Sequence, residues 1–407
     1  TCTESPGYSI LEYFIYGKKK LLNRIYIYLK SLYSIRRLNG YKTYNSNKNK
    51  FFRKIVVSWS KNINFLEDGS YKDKYFDVNS KENKEILWFL ISLDNKFPNN
   101  LEDNIVILSK KDNNEQSLIY LIKIFFSNLF KYKLSIKKLV ASLSFYSHIS
   151  KIIFKNIKPI ILRNDFDTII MPYESQPFQN YLFKNIRNIK KNIKTIGYMH
   201  STQPFPSLNL YRDGAPEKIF VHGSDQKLYL TKYLGWPSQT VNLIPSLRFK
   251  KQHELKIENK IFLPIFISNS KIYLNEFKGF LLNLERKIKP LTVINHPHMQ
   301  NSKPHLNLEK KLNALIKANK EVFSEDSKQS ETLIFGATSL VLEALEREYK
   351  FTHICAEPIL ESYTKVIWPS IAVKKINDYV YNYSLKNFGS CVNLGIENNM
   401  FQKYCIN

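Results

Sequence analysis

Short apolar runs bounded by polar turns recur along the chain, and most alternate with stretches of helical period. Residues 54–59 (Lys-Ile-Val-Val-Ser-Trp) have the β-branched density of a buried first strand. Residues 86–93 and 105–108 are further apolar runs, the second the more strand-like. Residues 117–130 and 135–157 carry helical periodicity, the latter predicted to end near Pro159. A regular series follows: strand 167–172, helix 179–189, strand 195–199, strand 218–222, helix 224–234 closed by Gly235, and strand 240–244. A charged stretch at 250–260 reads as a linker. Beyond it the pattern resumes with strand 261–268, helix 274–287, strand 291–295, helix 308–318, strand 332–335 with a helix opening behind it, and strand 352–356. Strands alternating with helices predict an α/β fold with doubly wound parallel sheets. The expected division is a basic segment 1–50, a first Rossmann-like domain 51–249, the linker 250–260, a second domain 261–376, and a tail 377–407 that packs back on the first domain.

At 407 residues the chain exceeds one ordinary core, which supports two domains. A hydrophobic content of 43% with 14% aromatics excludes a disordered protein. The net charge of +26 suits nucleic acid, an anionic membrane surface or anionic substrates. No nucleic-acid-binding signature accompanies it and the charge is spread out, so a membrane surface and a phosphorylated substrate are expected and nucleic acid is not. The Lys- and Asn-rich bias of an AT-rich genome also inflates the basic count. Lys30, Arg36 and Arg37 interleave with Leu21, Leu22, Ile25 and Leu29 in the manner of a basic amphipathic helix on a membrane; an ordinary surface helix fits equally. No apolar run reaches the ~18–20 residues of a membrane span. The four cysteines, Cys2, Cys355, Cys391 and Cys405, have no close spacing, which fits a reduced compartment. With no signal peptide visible, a cytoplasmic protein on the inner face of the membrane is expected; the chain opens without Met.

The chemistry is expected where strands run out. In 331–350 an apolar run stops at Gly336, Thr338 and Ser339 follow, and a helix opens with Glu343 one turn later. Free N–H groups and the positive helix end would seat a phosphate, with Glu343 accepting from a ribose. The plainer alternative is a capped helix with Glu343 in solvent. His296, fixed by Pro297, ends the strand at 291–295; in a doubly wound sheet that places it in the same crevice if the two strands are neighbours. In the first domain, Glu174 lies just past a strand and would deprotonate a hydroxyl with its pKa raised by partial burial. It would otherwise cap a helix or pair with a base. His200 ends the next strand and would orient Glu174 or bind the acceptor. Asp68, in Glu67-Asp68-Gly69, is the second acid, though this is ordinary turn chemistry too. Arg248 would reach an anion from the cleft rim, and Glu357 would line the nucleotide pocket. Walker, Gly-x-Gly-x-x-Gly and Gly-x-Ser-x-Gly motifs are missing, as is metal-ligand spacing, which removes support for kinase, dehydrogenase, serine hydrolase and zinc enzyme.

The His296-Pro297 pair and the Thr338-Ser339 helix start resemble the His-Pro and Ser-Ser/Thr motifs of bacterial CMP-sugar transferases, the sialyl- and Kdo transferases of GT-B fold. Tyr173-Glu174-Ser175-Gln176-Pro177, Gly197-Tyr198-Met199-His200-Ser201, Val221-His222-Gly223 and Pro245-Ser246-Leu247-Arg248 are similar to stretches of bacterial surface-carbohydrate biosynthesis proteins. Glu67-Asp68-Gly69 is similar to an acidic-acidic-Gly motif that supplies the base in some sialyltransferases. The resemblance covers residues 50–360. It implies two Rossmann-like domains across a cleft and metal-independent transfer from a nucleotide-sugar, CMP-activated first and UDP-activated second, to a lipopolysaccharide, capsule or related glycan or glycolipid. No cofactor beyond that co-substrate is implied. An epimerase or hydrolase of the same fold, and a non-catalytic scaffold of a glycan-assembly complex, remain alternatives.

Overall fold

A computed structural model describes residues 40–45, 52–110, 123, 126–127, 145–202, 204, 209–297, 299–396 and 399–406. The basic segment before Gly40, most of the helix expected at 117–130, and His298 lie outside the described residues.

The first unit runs β1 (Tyr41–Tyr44), β2 (Lys54–Ser60), the small hairpin β3 (Lys72–Asp73) and β4 (Val78–Asn79), β5 (Ile86–Ser92), β6 (Ile105–Lys110), α1 (Phe145–Arg163), β7 (Thr168–Pro172), α2 (Pro177–Ile189), β8 (Lys194–Tyr198), β9 (Lys218–Val221), α3 (Ser224–Tyr233) and β10 (Val241–Leu243). Eight of these strands form one sheet in the order β1-β6-β5-β2-β7-β8-β9-β10. All neighbours are parallel except β1 against β6. Every residue of β5 is buried, as both-face coverage of a parallel sheet requires. The order reverses between β2 and β7, and at such a switch point the carboxyl edge opens into a crevice. Helix α1 continues through Pro159 to Arg163, where the sequence predicted a stop. Ile157, Ile160 and Ile161 are buried around that proline, so packing offsets the lost backbone bond.

The second unit runs β11 (Lys260–Phe262), α4 (Ser270–Leu282), β12 (Thr292–Ile294), α5 (Lys303–Ala318), β13 (Thr332–Phe335), α6 (Leu340–Glu346), β14 (Thr352–Ile354), α7 (Pro358–Glu361), β15 (Ile371–Lys375) and β16 (Val380–Leu385). Its sheet is ordered β12-β11-β13-β14-β16-β15, parallel through β14 with an antiparallel hairpin at the edge. The hairpin carries the unit to Leu385, past the boundary at 376 expected from the sequence, because the half-exposed Val-Tyr-Asn-Tyr-Ser-Leu run of β16 has too little apolar density to read as a core strand. These are two doubly wound α/β units, a GT-B-like arrangement.

The units share one apolar cluster in which Met199 and Tyr229 of the first meet Val341, Leu342, Tyr363 and Trp368 of the second. Trp368 is fully buried, donates its Nε1–H to the Pro204 carbonyl at 3.1 Å and sits edge-on to Tyr229 at 5.2 Å. The Asp225 carboxylate accepts from the N–H and Oγ of Ser370, both at 3.0 Å. After β16 the chain crosses back: Ser246 N–H donates to Asn393 at 2.7 Å, and Met400, Phe401, Cys405 and Ile406 pack with Phe76 and Trp88 under the first sheet. Trp368→Ala leaves a cavity at this junction and an orphaned Pro204 carbonyl, so urea unfolding should show a loss of about 3–5 kcal/mol. A loss under about 1 kcal/mol would show that the junction collapses around the hole.

Candidate functional site at the interdomain cleft

The carboxyl edge of the first sheet presents Lys61 directly after β2, Glu174 after β7, His200 after β8 and Arg248 after β10. Glu174 is held from three sides. Its Oε1 lies 3.2 Å from His200 Nε2 and accepts from Ser201 Oγ at 2.7 Å, while Oε2 accepts from Gln176 Nε2 at 2.9 Å. Gln179 Oε1 accepts from the Glu174 and Gln176 N–H groups, both at 3.0 Å, and so fixes the turn. Ser175 follows with φ +56°, a left-handed conformation that costs a non-glycine residue about 1 kcal/mol or more. Burial pushes the Glu174 carboxyl up, but the His200 charge and the bonds from His200, Ser201 and Gln176 outweigh it and hold the pKa down to about 2. The sequence expected this pKa to be raised; the pairing with His200 reverses the sign. His200 is buried, its Nδ1 has no hydrogen-bond partner, Tyr75 packs edge-on to it at 4.4 Å, and Arg248 Nη1 reaches its carbonyl at 3.5 Å.

Asp68 stands apart from this group. It is an exposed turn acid whose oxygens accept from Ser70 N–H at 3.0 Å, Ser70 Oγ at 2.6 Å and Lys81 Nζ at 2.8 Å, and those bonds hold its pKa below the carboxylate range. It closes a surface turn with Gly69, where a Cβ would land 1.7 Å from the Asn100 carbonyl oxygen. The acid that shapes the cleft is Asp73, which no pattern in the sequence marked. Fully buried, it accepts from Tyr75 N–H at 2.7 Å, Phe76 N–H at 2.9 Å and Tyr71 Oη at 2.9 Å, and from Ser58 Oγ. Those bonds fix the loop that carries Lys74 and Tyr75. Desolvation lowers the Lys74 pKa, and repulsion from Lys61 and Arg248 lowers it further against the pull of Asp73 and Glu174. Lys61 was discoverable as the first residue beyond a strand at the switch point; Lys74 and Tyr75 sit in a polar stretch without periodicity and were not.

In the second unit His296 follows β12 and Gly336 follows β13, on the same edge of the sheet. They are not on neighbouring strands, because β11 lies between, two strand spacings or roughly 10 Å apart. His296 is half-buried and its loop is pinned from behind by His305, which bridges Ser302 Oγ at 3.0 Å and the Pro264 carbonyl at 2.9 Å. Pro297 is exposed. Desolvation lowers the His296 pKa first, followed by repulsion from Arg248, His305, Lys74 and Lys61. Three of those cations, Arg248, Lys74 and Lys61, belong to the first unit, so His296 lies within the field of its basic carboxyl edge.

The expected phosphate seat is less open than its sequence implied. Gly336 donates to Ile354 at 2.8 Å, its carbonyl accepts from His353 Nε2 at 2.7 Å, and its φ of +60° with Tyr273 Oη 2.6 Å from a would-be Cβ makes it a packing glycine. Thr338 Oγ1 accepts from Leu340 N–H at 3.3 Å in a hydroxyl turn ahead of the helix, while Ser339, the N-cap, is already helical at φ −67°, ψ −12° and makes no side-chain cap bond. Helix α6 has only seven residues, so its dipole is small. Glu343, expected on a ribose, accepts through Oε1 from Arg347 Nε at 3.2 Å and Nη2 at 3.1 Å. Burial raises its pKa against that pairing. Neither the open phosphate seat nor a plain cap with Glu343 in solvent describes this turn: Ser339 makes no side-chain cap bond and Glu343 is paired with Arg347. Glu357 starts α7, and its N–H donates to buried Glu361, which also accepts from Tyr273 Oη. Among the described residues no group of three or more His, Cys, Asp or Glu could hold a metal ion, and no helix is long and apolar enough to cross a membrane.

No protein-family model and no curated protein matches the chain. Among solved structures it is similar to one described as a glycosyltransferase from Rickettsia africae ESF-5, at 14% identity and a TM-score of 0.37, over 74% of this chain and 79% of that one.

Proposed function

We propose that the protein is a glycosyltransferase that moves a sugar from a nucleotide-activated donor to a glycan or glycolipid acceptor in the cleft. One observation carries the reading: His296 of the second unit lies in the electrostatic reach of Lys61, Lys74 and Arg248 of the first, and Arg248 itself reaches the carbonyl of His200, the partner of Glu174. An acceptor hydroxyl attacks the anomeric carbon, the bond from that carbon to the phosphate oxygen breaks, and the nucleotide leaves with the electron pair. The hydroxyl proton passes to Glu174 and His200, which act as a unit. His296, Arg248, Lys61 and Lys74 offset the charge on the leaving phosphate. Thr338 and Ser339 shape its approach, and the donor is CMP-activated first and UDP-activated second. The charge of +26 supports work at an anionic membrane surface, where a glycolipid acceptor would be found.

A thermal-shift panel of CMP, UDP, GDP and dTDP tests the reading. A nucleotide at about 100 times its Kd should raise stability by about 2.7 kcal/mol. CMP should give the largest shift. If none of the four shifts the transition, the donor site is wrong.

A further inference from the structure

Lys250 opens the charged stretch between the two units, yet its side chain is only 6% exposed and its Nζ lies 2.6 Å from Asp77 Oδ2. Burying a lysine is expensive unless a charge meets it. Asp77 ends the loop that carries Lys74 and Tyr75, in a left-handed turn at φ +51°, and Lys72 and His253 approach it more distantly at 3.8 Å each. On the other side, the Lys250 carbonyl accepts from Arg347 Nη2 at 2.7 Å and the Lys251 carbonyl from Nη1 at 3.4 Å. Arg347 is in turn gripped by Glu343, on the helix that begins at Thr338-Ser339. The links therefore run from Glu343 through Arg347 to the main-chain carbonyl of Lys250, and from the ammonium of the same residue to Asp77. Their ends are the helix behind one half of the cleft and the loop of the other. The site as described makes no use of this buried lysine.

We propose that Lys250 is a positioning residue that holds the Lys74–Tyr75 loop of the first unit in register with the Thr338–Ser339 helix of the second, so that order imposed on one half of the cleft reaches the other. Its place in the linker gives it a role that an ion pair inside either unit would not have, since both its partners lie on elements that frame the cleft. The proposal's nucleotide arm rests on the function proposed above; the mutational arm does not.

The test is hydrogen exchange on the full chain for wild type, Lys250→Met, Arg347→Gln and the double variant, followed at the 72–78 segment whose Tyr75 and Phe76 amides bond to Asp73. Lys250→Met keeps the apolar stem and removes the charge. It should speed exchange of that segment by about tenfold while the β5 and β7 amides hold their rates. Arg347→Gln, although on the second unit, should also speed it, and the double variant should exceed neither single by more than a small factor. Unchanged exchange at 72–78 in Lys250→Met, or two single effects that simply multiply, overturns the proposal. With saturating CMP, wild type should slow at 72–78 and Lys250→Met should not; equal slowing in both would also overturn it. If CMP fails to bind wild type, the functional reading fails and the mutational cycle still decides the role of Lys250.

Discussion

Glu174→Gln should lower kcat by about 10²–10⁴-fold while leaving the nucleotide-induced thermal shift intact. The carboxylate accepts from His200, Ser201 and Gln176, and an amide turns one acceptor oxygen into a donor facing groups that also donate. His200→Asn should have a comparable effect. Because the two groups handle one proton together, the double variant should be little worse than the worse single. The pair also has a signature in stability. The folded pKa of Glu174 is depressed from 4.5 to about 2, so its contribution is fully present above pH 4.5 and is lost as pH falls through about 2. About a third of the side chain is exposed (35%), which reduces the contribution to about 1–2 kcal/mol. Unfolding of Glu174→Gln measured from pH 5 to pH 2 should therefore fall less steeply than that of wild type. Full activity in Glu174→Gln would remove the pair from the chemistry.

Much of the scaffold was legible because parallel strands buried on both faces announce themselves as β-branched runs. Residues 54–59, 167–172, 195–199 and 332–335 each contain or nearly match an observed strand. The packing behind the candidate site was not legible. Nothing in the sequence tells that Asp73 is buried under the cleft loop while Asp68, five residues earlier, closes a surface turn; the difference is which turn packs against Tyr71 and Ser58. Nor does spacing show that β11 enters between β12 and β13 and separates His296 from Gly336, because strand order is set by crossovers and not by chain order. Glu174 and His200 were found because strand ends in a doubly wound sheet collect on one edge. Their mutual distance, and with it the sign of the Glu174 shift, depended on the tight register between β7 and β8.

His296→Ala should cost about 2–4 kcal/mol of transition-state stabilisation, roughly 30- to 1,000-fold in kcat/KM, with the fold retained. The imidazole is half-buried just past a three-residue strand, and the loop behind it is also held by His305 and by the Met299 N–H bond to the His296 carbonyl, both of which survive the substitution. Its charged form is disfavoured by desolvation and by repulsion from Arg248, His305, Lys74 and Lys61, and a dianionic leaving group entering the cleft would offset that repulsion. Bound nucleotide should therefore raise the affinity of His296 for a proton, and the affinity for nucleotide should fall, more in wild type than in His296→Ala, as pH rises through the range that begins below the ordinary imidazole value of 6.5. Arg248→Ala should weaken the same step, and because both groups meet one phosphate the two losses should not add. Added salt should weaken nucleotide binding through the half-exposed cations. Turnover near wild type in His296→Ala, with an unchanged pH dependence of nucleotide binding, would move the donor phosphate away from β12 and leave Lys61, Lys74 and Arg248 to bind some other anion.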